Sequence, residues 1–376
     1  MNLELTPEQL ALRATVRRFL AERAGIADHV RPLLDDPAGT TPGVWSGLAG
    51  LGTTGLLVPE RYGGTGMGMV EAGVVLEELG AALHPGPWLS TAVTAVRAIT
   101  RAGTGSAEAH RLLTGIAEGS AVVTVGPLPA RDEPLRVVER PGGTALSGRI
   151  DLLPDAAAAT VLLVPDTGGL FAVDLRAAGT SLLPVPGIDG TRKYFRCDLD
   201  GAPARRVGAM SRQLGQALVD DVLVAHAADA VGAARALVEL TLAHAKARHQ
   251  FGQPIGAFQA VAHLCVGMYE TLELARGLTL RALWAADCAG PDERHLAALR
   301  VKAYAGRLAA VGDTAVQVFG GVGYTWDSDV HLYLKRLLSW STLFGAPAGY
   351  LGQLGSDLVR SVVPRTAQRC GDRDGR

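Results

Sequence analysis

The chain is poor in aromatic and charged residues. Of its 376 residues, 5% are aromatic and 19% are charged, whereas 48% are hydrophobic. The 36 lysines and arginines nearly balance the 37 aspartates and glutamates, which leaves a formal charge of −1. There is thus no basic excess that would attract nucleic acid or an anionic membrane. The high apolar fraction argues against a disordered chain and indicates large buried interfaces.

Cysteine is also scarce, and long apolar runs are missing. The cysteines Cys197, Cys265, Cys288 and Cys370 form no C-x-x-C pair, so they predict neither a disulfide framework nor a metal site. No uncharged apolar run approaches the roughly 18 residues that a membrane span needs. The N-terminal stretch MNLELTPEQ is acidic and polar, unlike a signal peptide. These features predict a cytoplasmic protein without a metal centre that binds neither membrane nor nucleic acid.

Apolar periodicity divides the chain into helical and β regions. Helix-type spacing predicts an all-α domain over residues 1–119, a β-domain over 120–212, a four-helix bundle over 213–362 and a polar tail over 363–376. Period-two runs predict short antiparallel strands in the middle domain, at 121–125, 135–139, 160–164, 169–174 and 194–198. The fold class is therefore α+β, and ligand sites are expected at the seams between the layers.

A break between two long helical runs is the first candidate binding element. Segment 248–259 reads RHQFGQPIGAFQ, in which Gly252, Pro254 and Gly256 interrupt the helix. Arg248 is therefore held at a helix end, where its guanidinium could pair with a phosphate or a carboxylate. Taken alone, the segment is explained more simply by an ion pair between helices.

Four motifs, which run through nearly the whole chain, resemble those of the acyl-CoA dehydrogenase family. They are LTPEQ with the following VRRFL, VPERYGGTG with the following EELG, segment 248–259, and QVFGGVGY at 317–324. The resemblance implies the acyl-CoA dehydrogenase fold, FAD, and α,β-desaturation of an acyl thioester in lipid metabolism. The acyl carrier is CoA or an acyl carrier protein, and an electron-transfer flavoprotein is the implied acceptor. In such enzymes a carboxylate removes the α-proton while the flavin accepts the β-hydride.

The same resemblance assigns six residues to an FAD site shared with a neighbouring subunit, here called the clamp residues: Arg248, Phe251, Gln259, Gln317, Gly320 and Gly321. Arg248 is implied to contact the pyrophosphate. The two glycines are implied to meet the adenosine–pyrophosphate end, since a residue without Cβ lets backbone N–H groups approach a phosphate closely. The alternative for the glycines is a plain tight turn.

The position of the family's catalytic base departs from the pattern. Where most members have a glutamate, this chain has Gly345. A minority of the family places the glutamate on the helix before segment 248–259, and that position falls at Val222. The adjacent Asp221, or Asp220, is a weak candidate base, because one helical residue is a rotation of about 100°. The simpler explanation is a carboxylate near a helix N-terminus, favoured by the helix dipole.

The predicted β-domain departs as well. The family stretch that hydrogen-bonds flavin and phosphate is replaced by VGPLPARDEP at 125–134, with no hydroxyl between Thr124 and Thr144. The aromatic and hydroxyl residues that pack on the flavin align with Leu-Leu-Pro at 152–154. Segment 325–336 resembles actinobacterial dehydrogenases that work as unlike subunit pairs, in which one chain lacks the base.

The departures lead to one hypothesis and two rivals. The chain is predicted to be the base-less subunit of an α2β2 acyl-CoA dehydrogenase, with a second dehydrogenase-like subunit that supplies the glutamate. One rival is a self-associating, self-sufficient dehydrogenase or oxidase that uses Asp221 as base. The other is a scaffold subunit that binds neither flavin nor thioester.

Arg192 is a separate candidate in the turn DGTRK at 189–193. It could bind a phosphate there, but the sequence favours an exposed turn arginine.

Overall fold

The computed structural model describes residues 4–128, 135–140, 143–166 and 168–362. Its first part is helical, and the helices begin where the sequence supplies caps. Thr6 accepts a hydrogen bond from the Gln9 N–H and Gln9 returns one, a capping box that starts the first helix. The α-helices of this part are α1 (Pro7–Arg23), α2 (Pro42–Gly50), α3 (Met69–Ala81), α4 (Val96–Ala102) and α5 (Ala107–Ala117). Two π-helical segments, Ile26–Val30 and Leu89–Ala95, and three 3₁₀ turns join them.

The middle part is a β-sheet. Its strands are β1 (Val123–Val125), β2 (Arg136–Arg140), β3 (Gly143–Pro154), β4 (Val161–Asp166), β5 (Gly169–Asp174), β6 (Thr180–Val185) and β7 (Tyr194–Gly208). They are arranged in the order β1-β4-β5-β7-β3-β2, with β6 also paired to β7. The sheet is not wholly antiparallel as predicted, because β1 pairs parallel to β4. The predicted strands omitted β3 and β6, whose sequences do not alternate cleanly.

The last part is a helical bundle. It consists of α6 (Arg212–Ala247), α7 (Gln259–Cys288), α8 (Pro291–Phe319), α9 (Val330–Thr342) and α10 (Pro347–Val362). Helices α6 to α9 pack on one another, and α10 packs against α8. A short hairpin of β8 (His249–Gln250) and β9 (Gln253–Pro254) leads from α6 towards α7. The predicted tail at 363–376 lies outside the described residues.

Close packing between α3 and α6 fixes the N-terminal helices on the bundle. A Cβ on Gly80 would overlap the Asp229 carbonyl oxygen, and a Cβ on Gly232 would overlap the Glu77 carbonyl oxygen. Only glycine allows the two backbones to approach this closely. The contact places α6 against both the N-terminal helices and the rest of the bundle. No helix within the described ranges is both long enough and apolar enough to cross a membrane.

Candidate functional site

A cavity lies at the seam between the β-sheet and the helices, and we call it the seam cavity. Its volume is about 330 Å³, which falls within the roughly 300–1,000 Å³ of small-molecule sites. Its walls come from the π-helical segment Leu89–Ala95, the end of β3, the residues that begin β7, α6 and the loop after α9. Such π-helical segments are often found at functional sites.

Both family positions for the catalytic base line the seam cavity. Val222 belongs to its α6 wall and Gly345 to the loop after α9. Neither residue carries a carboxylate. His226, one helical turn after Val222, lines the same cavity, and Asp229 lies a further turn along that helix face. The cavity thus contains both positions that the resemblance implies for a catalytic base. On its α6 wall the side chains are the apolar Val222 and the imidazole of His226.

The aspartates beside Val222 are directed elsewhere. The Asp221 carboxylate is fully buried and accepts hydrogen bonds from Arg97 and Arg101 of α4, at 2.7–3.1 Å. Asp220 lies 2.8 Å from Nδ1 of His295. Because each residue turns a helix by about 100°, neither aspartate shares the wall that Val222 occupies. This placement speaks against either one as a base acting in the cavity.

Among the residues that the structure describes, Asp155 is the carboxylate that lines the seam cavity. It follows β3 with a φ of 53°, and its Oδ2 accepts a 2.6 Å hydrogen bond from Ser90 Oγ. Burial raises the pKa of Asp155 to about 6, although the Ser90 hydroxyl and the nearby Arg192 act in the opposite direction. Asp155 is not among the residues predicted from the sequence, because the predicted strands omit β3, which it follows.

Arg192 also lines the cavity, and the prediction that it is an exposed turn arginine is wrong. Its side chain is only 11% exposed, and Nη2 lies 2.8 Å from Oδ2 of Asp229. Arg336 of α9 binds the same carboxylate through Nε and Nη2, at 2.9 and 2.8 Å. Burial opposes ionisation of Asp229, yet the two guanidinium groups hold its pKa well below the ordinary range.

The β-sheet side of the cavity offers little to a flavin ring. Leu152 and Pro154, where the family packs an aromatic and a hydroxyl residue, line it with apolar surface. Val125 and Leu128 extend that surface. The nearest hydroxyl on β1, Thr124, donates to the Pro154 carbonyl oxygen at 2.6 Å and is thereby occupied. Within the described part of the sheet, this donor set does not fit the polar edge of a flavin.

The loop that carries Gly345 has an unusual backbone. Phe344 adopts a φ of 60° and Gly345 a φ of 107°. Lys302 of α8, which is fully buried, binds the C-terminal end of α9, just before this loop. Its ammonium donates to the carbonyl oxygens of Trp340 and Ser341 at 2.6 and 3.1 Å and lies 4.2 Å from the Trp340 ring centroid. The Lys302 Nζ group therefore satisfies C-terminal carbonyl groups of α9.

Lys302 is expected to make the stability of the protein depend on pH. Burial lowers the pKa of its ammonium to about 7, whereas an unfolded lysine titrates near about 10.4. Between these values the unfolded chain binds more protons, so stability should rise with pH. We expect the unfolding free energy of the wild type, minus that of Lys302→Met, to increase between pH 7 and 10. Denaturant unfolding of both proteins at several pH values measures this difference in unfolding free energy. A difference that stays constant with pH would contradict the prediction.

The clamp residues of the 248–259 segment lie at the far end of α6. The Arg248 backbone N–H ends the helix by donating to the His244 carbonyl oxygen at 2.8 Å, which leaves its exposed side chain outside the cap. Phe251, at the hairpin turn with a φ of 52°, is 92% exposed and packs edge-on against Phe258. Gln259, the first residue of α7, is exposed as well.

The second group of clamp residues lies at the end of α8, beside the first. Gln317, Gly320 and Gly321 are exposed. Gly320 has a φ of 64°, which favours glycine for conformational reasons alone. Gly321 has no such requirement, and a Cβ there would meet no other atom of the chain within 4 Å. The tight-turn explanation therefore accounts for Gly320 but not for Gly321.

Packing between the helix ends holds the two groups of clamp residues together. Ala245, Cys265 and Val318 form a small buried cluster that joins α6, α7 and α8. The His244 ring stacks on Phe319 with centroids 4.0 Å apart. An arginine, an exposed aromatic ring and a glycine backbone thus face solvent at one end of the bundle. This set fits the pyrophosphate and adenosine parts of FAD bound outside the chain.

The clamp residues and the seam cavity are far apart. From Val222 to Ala247 the helix α6 runs for 25 residues without interruption, which is about 38 Å at 1.5 Å per residue. That length exceeds an extended dinucleotide. One FAD molecule therefore cannot occupy the seam cavity and reach Arg248 of the same chain. In the described ranges, no group of three or more His, Cys, Asp or Glu side chains could hold a metal ion.

Comparison with known proteins identifies the family. A model described as "Acyl-CoA dehydrogenase, N-terminal domain" matches residues 6–120, and "Acyl-CoA dehydrogenase, C-terminal domain" matches 223–350. The acyl-CoA dehydrogenase IpdE2 of Mycobacterium tuberculosis is 30% identical over 95% of this chain and 100% of its own length. The acyl-CoA dehydrogenase FadE34 of the same organism is 32% identical over 89% of this chain, which spans 46% of that longer protein.

Solved structures agree with these matches. The Tcur3481-Tcur3483 steroid ACAD variant has a TM-score of 0.83 at 28% identity and covers 94% of this chain and 98% of its own. The ChsE4-ChsE5 complex from Mycobacterium tuberculosis has a TM-score of 0.85 at 25% identity and covers 97% and 100%. The protein is an FAD-dependent oxidoreductase acting on CH–CH bonds. It belongs to the acyl-CoA dehydrogenase family, which confirms the predicted family, fold and cofactor.

Proposed function

We propose that the chain is the base-less subunit of a heteromeric acyl-CoA dehydrogenase. It helps to bind FAD in a neighbouring subunit, and that subunit provides the catalytic glutamate. The observation that carries this proposal is the seam cavity, in which the two positions for a base, Val222 and Gly345, carry no carboxylate. The clamp residues, by contrast, are present and exposed about 38 Å away along α6.

In this proposal, three of the clamp residues have distinct roles in binding FAD. The Arg248 guanidinium forms two parallel hydrogen bonds to the pyrophosphate, and the Phe251 ring packs on an apolar face of the cofactor. Backbone N–H groups around Gly321 approach the phosphate where a Cβ would hold it off. FAD, when bound, accepts the hydride from the β-carbon of the acyl group. The chain's own residues thus orient the cofactor and exclude water from it.

Exposed apolar surface supports assembly with another chain. Leu351 and Val359, eight residues apart on one face of α10, are 58% and 61% exposed. Val266 and Tyr269 on α7 are 64% and 55% exposed. Exposed apolar residues grouped in this way mark interaction surfaces. The substrate is an acyl thioester, and a steroid-derived acyl group is the first to test, because one structural relative is a steroid ACAD. An electron-transfer flavoprotein is the proposed electron acceptor.

Expression with and without a partner tests the proposal. The isolated chain should retain far less than one FAD per chain and should not desaturate acyl-CoA. Co-purification with a second dehydrogenase-like chain that has the glutamate should give one FAD per pair and restore activity. Absorbance of the flavin after gel filtration gives the stoichiometry. Full FAD loading and turnover by the isolated chain would overturn the proposal, and a protein that stays colourless in every pairing would indicate the scaffold alternative.

Asp155 supports a second candidate function, a self-sufficient flavoenzyme with a different base. Its carboxylate lines the seam cavity, and its pKa of about 6 lies near the range of a general base. On the base-less proposal, Asp155→Asn leaves turnover of the assembled enzyme within about threefold of wild type. A self-sufficient enzyme would instead lose about 100-fold or more, typical of removing a general base. The turnover of Asp221→Asn is measured in the same assay. Loss of turnover in Asp155→Asn alone would indicate Asp155 as the base, and loss in Asp221→Asn alone would indicate Asp221.

A further inference from the structure

The seam cavity has a polar end whose hydrogen-bonding groups lack protein partners. The side chains of Tyr194 and His226 line it. Neither side chain forms a hydrogen bond with the part of the chain that the structure describes, although the His226 ring stacks on Trp340. Burial raises the pKa of Tyr194 to about 12 and lowers that of His226 to about 3, so both groups are neutral at physiological pH. Arg192 lies beside them, held by its ion pair with Asp229. Buried polar groups normally have partners, so this end has room for a ligand's polar atom.

The charges around this end largely offset one another. The anions are Asp155, Asp189 and Asp229, and the cations are Arg192, Lys193, Arg336 and Lys302, whose pKa burial lowers to about 7. The Lys193 ammonium is turned away from the cavity, because it donates to the Leu33 and Leu34 carbonyl oxygens at 2.8 and 2.6 Å. A charged ligand would upset this balance in a buried setting and would be penalised by desolvation.

The remainder of the cavity is apolar. Val222, Leu152 and Phe344 form walls on three sides, contributed by α6, β3 and the loop after α9. The hydroxyl groups of Thr94 and Thr342 line it but are satisfied by backbone carbonyl oxygens of Leu89 and Leu338. An apolar cavity with a few convergent polar groups is the usual form of a small-molecule site.

We propose that the seam cavity binds a small uncharged apolar molecule that carries one hydroxyl or keto oxygen, held at the end formed by Arg192, Tyr194 and His226. A keto oxygen accepts from the Tyr194 hydroxyl or the Arg192 guanidinium, and a hydroxyl can also donate to Asp155. The binding needs no redox step and no FAD in this cavity. It does not rest on the proposed pairing of subunits.

The uncharged naphthalene ketone Prodan is a suitable probe, because its emission reports polarity and hydrogen bonding at the keto oxygen. Titrated onto the full chain, in the assembly in which it purifies, Prodan should bind at one saturable site per chain with blue-shifted emission. Val222→Phe, which fills the cavity, should abolish the saturable signal. Tyr194→Phe should weaken binding about five- to tenfold through loss of one hydrogen bond. Leu183→Phe, on an exposed position of β6, should bind like the wild type.

Two comparisons make the experiment decisive. The anionic 1-anilinonaphthalene-8-sulfonate should bind more weakly and should not displace Prodan; equal binding would overturn the selectivity for uncharged ligands. Wild-type affinity in Val222→Phe would overturn the location, as would a non-saturable signal in the wild type. Thermal unfolding checks that each variant is folded. If Val222→Phe does not fold, the affinity of Tyr194→Phe for Prodan decides the location of the site. FAD content is measured in parallel and bears only on the proposed pairing, because Prodan binding in the seam cavity requires no FAD.

Discussion

In the assembled enzyme, Arg248→Ala is expected to weaken FAD binding by about 100- to 10,000-fold. Hydrogen bonds to charged groups contribute about 1.5–3 kcal/mol, and each 1.4 kcal/mol corresponds to a factor of ten. The guanidinium would make two such bonds to a pyrophosphate. The effect should be specific to the cofactor, because the helix cap at this residue uses the backbone N–H and not the side chain. The fold of the hairpin and the assembly should therefore survive the substitution.

Titration of FAD into the apo assembly, followed by flavin fluorescence, measures this loss. Arg248→Lys should fall between wild type and alanine, since an ammonium is a point charge that cannot fork onto two oxygens. Arg176→Ala, on an exposed residue after β5, is the matched control and should bind FAD like the wild type. An Arg248→Ala assembly with FAD affinity within twofold of wild type would remove Arg248 from the proposed function. The ion pair between helices is not the explanation either, because no ion pair of Arg248 occurs within the described residues, where its side chain is exposed.

The sequence allowed the clamp residues to be named, because their motifs are local. Gly252, Pro254 and Gly256 stand close together and interrupt the helical pattern, so segment 248–259 could be placed at a helix end without coordinates. What the motifs could not reveal is that the end of α8, which carries Gln317, packs against the end of α6, which carries Arg248. That neighbourhood depends on the cluster of Ala245, Cys265 and Val318, which are distant in sequence and chemically unremarkable.

The seam cavity was much less predictable. Asp221 and Val222 are adjacent in sequence, yet one faces arginines of α4 and the other lines the cavity. The two side chains are separated by a rotation of about 100° around the helix. In a helix that is apolar on most sides, the sequence does not show which neighbour each side chain faces. Arg192 was misjudged for a related reason. Its partners Asp229 and Arg336 come from distant helices, and buried ion pairs of this kind leave no local pattern.

The two positions that the resemblance implies for a base differ in their backbone conformation. A glutamate at Gly345 would have to adopt a φ of 107°, a conformation that side-chain-bearing residues rarely adopt. Val222, in contrast, lies in a regular helix where glutamate is tolerated. The backbone of this loop therefore favours the glycine that the sequence has at position 345, whereas the helix would accept a glutamate at position 222.

The largest effect on stability is expected from Asp229→Asn. This change leaves the guanidinium groups of Arg192 and Arg336 without their shared carboxylate, and Arg336 is only 3% exposed. Removing one partner of a buried ion pair costs about 3–5 kcal/mol, because the remaining charge stays desolvated. Glu293→Gln, in an exposed ion pair with Arg281, is the matched control and should change stability by less than about 1 kcal/mol. Denaturant unfolding measures both variants.

The pH dependence distinguishes a lost ion pair from lost packing. Because Arg192 and Arg336 hold the pKa of Asp229 below its ordinary range, the stabilisation should be complete above the unfolded aspartate pKa of about 3.9. It should decline only as the pH falls below that value towards the folded pKa. The difference between wild type and Asp229→Asn is therefore expected to be constant from pH 5 to 8 and to shrink near pH 3. Adding Arg192→Gln to Asp229→Asn should restore part of the stability, since it removes one unpaired cation. A difference that is the same at every pH, with no recovery in the double variant, would assign the effect to packing.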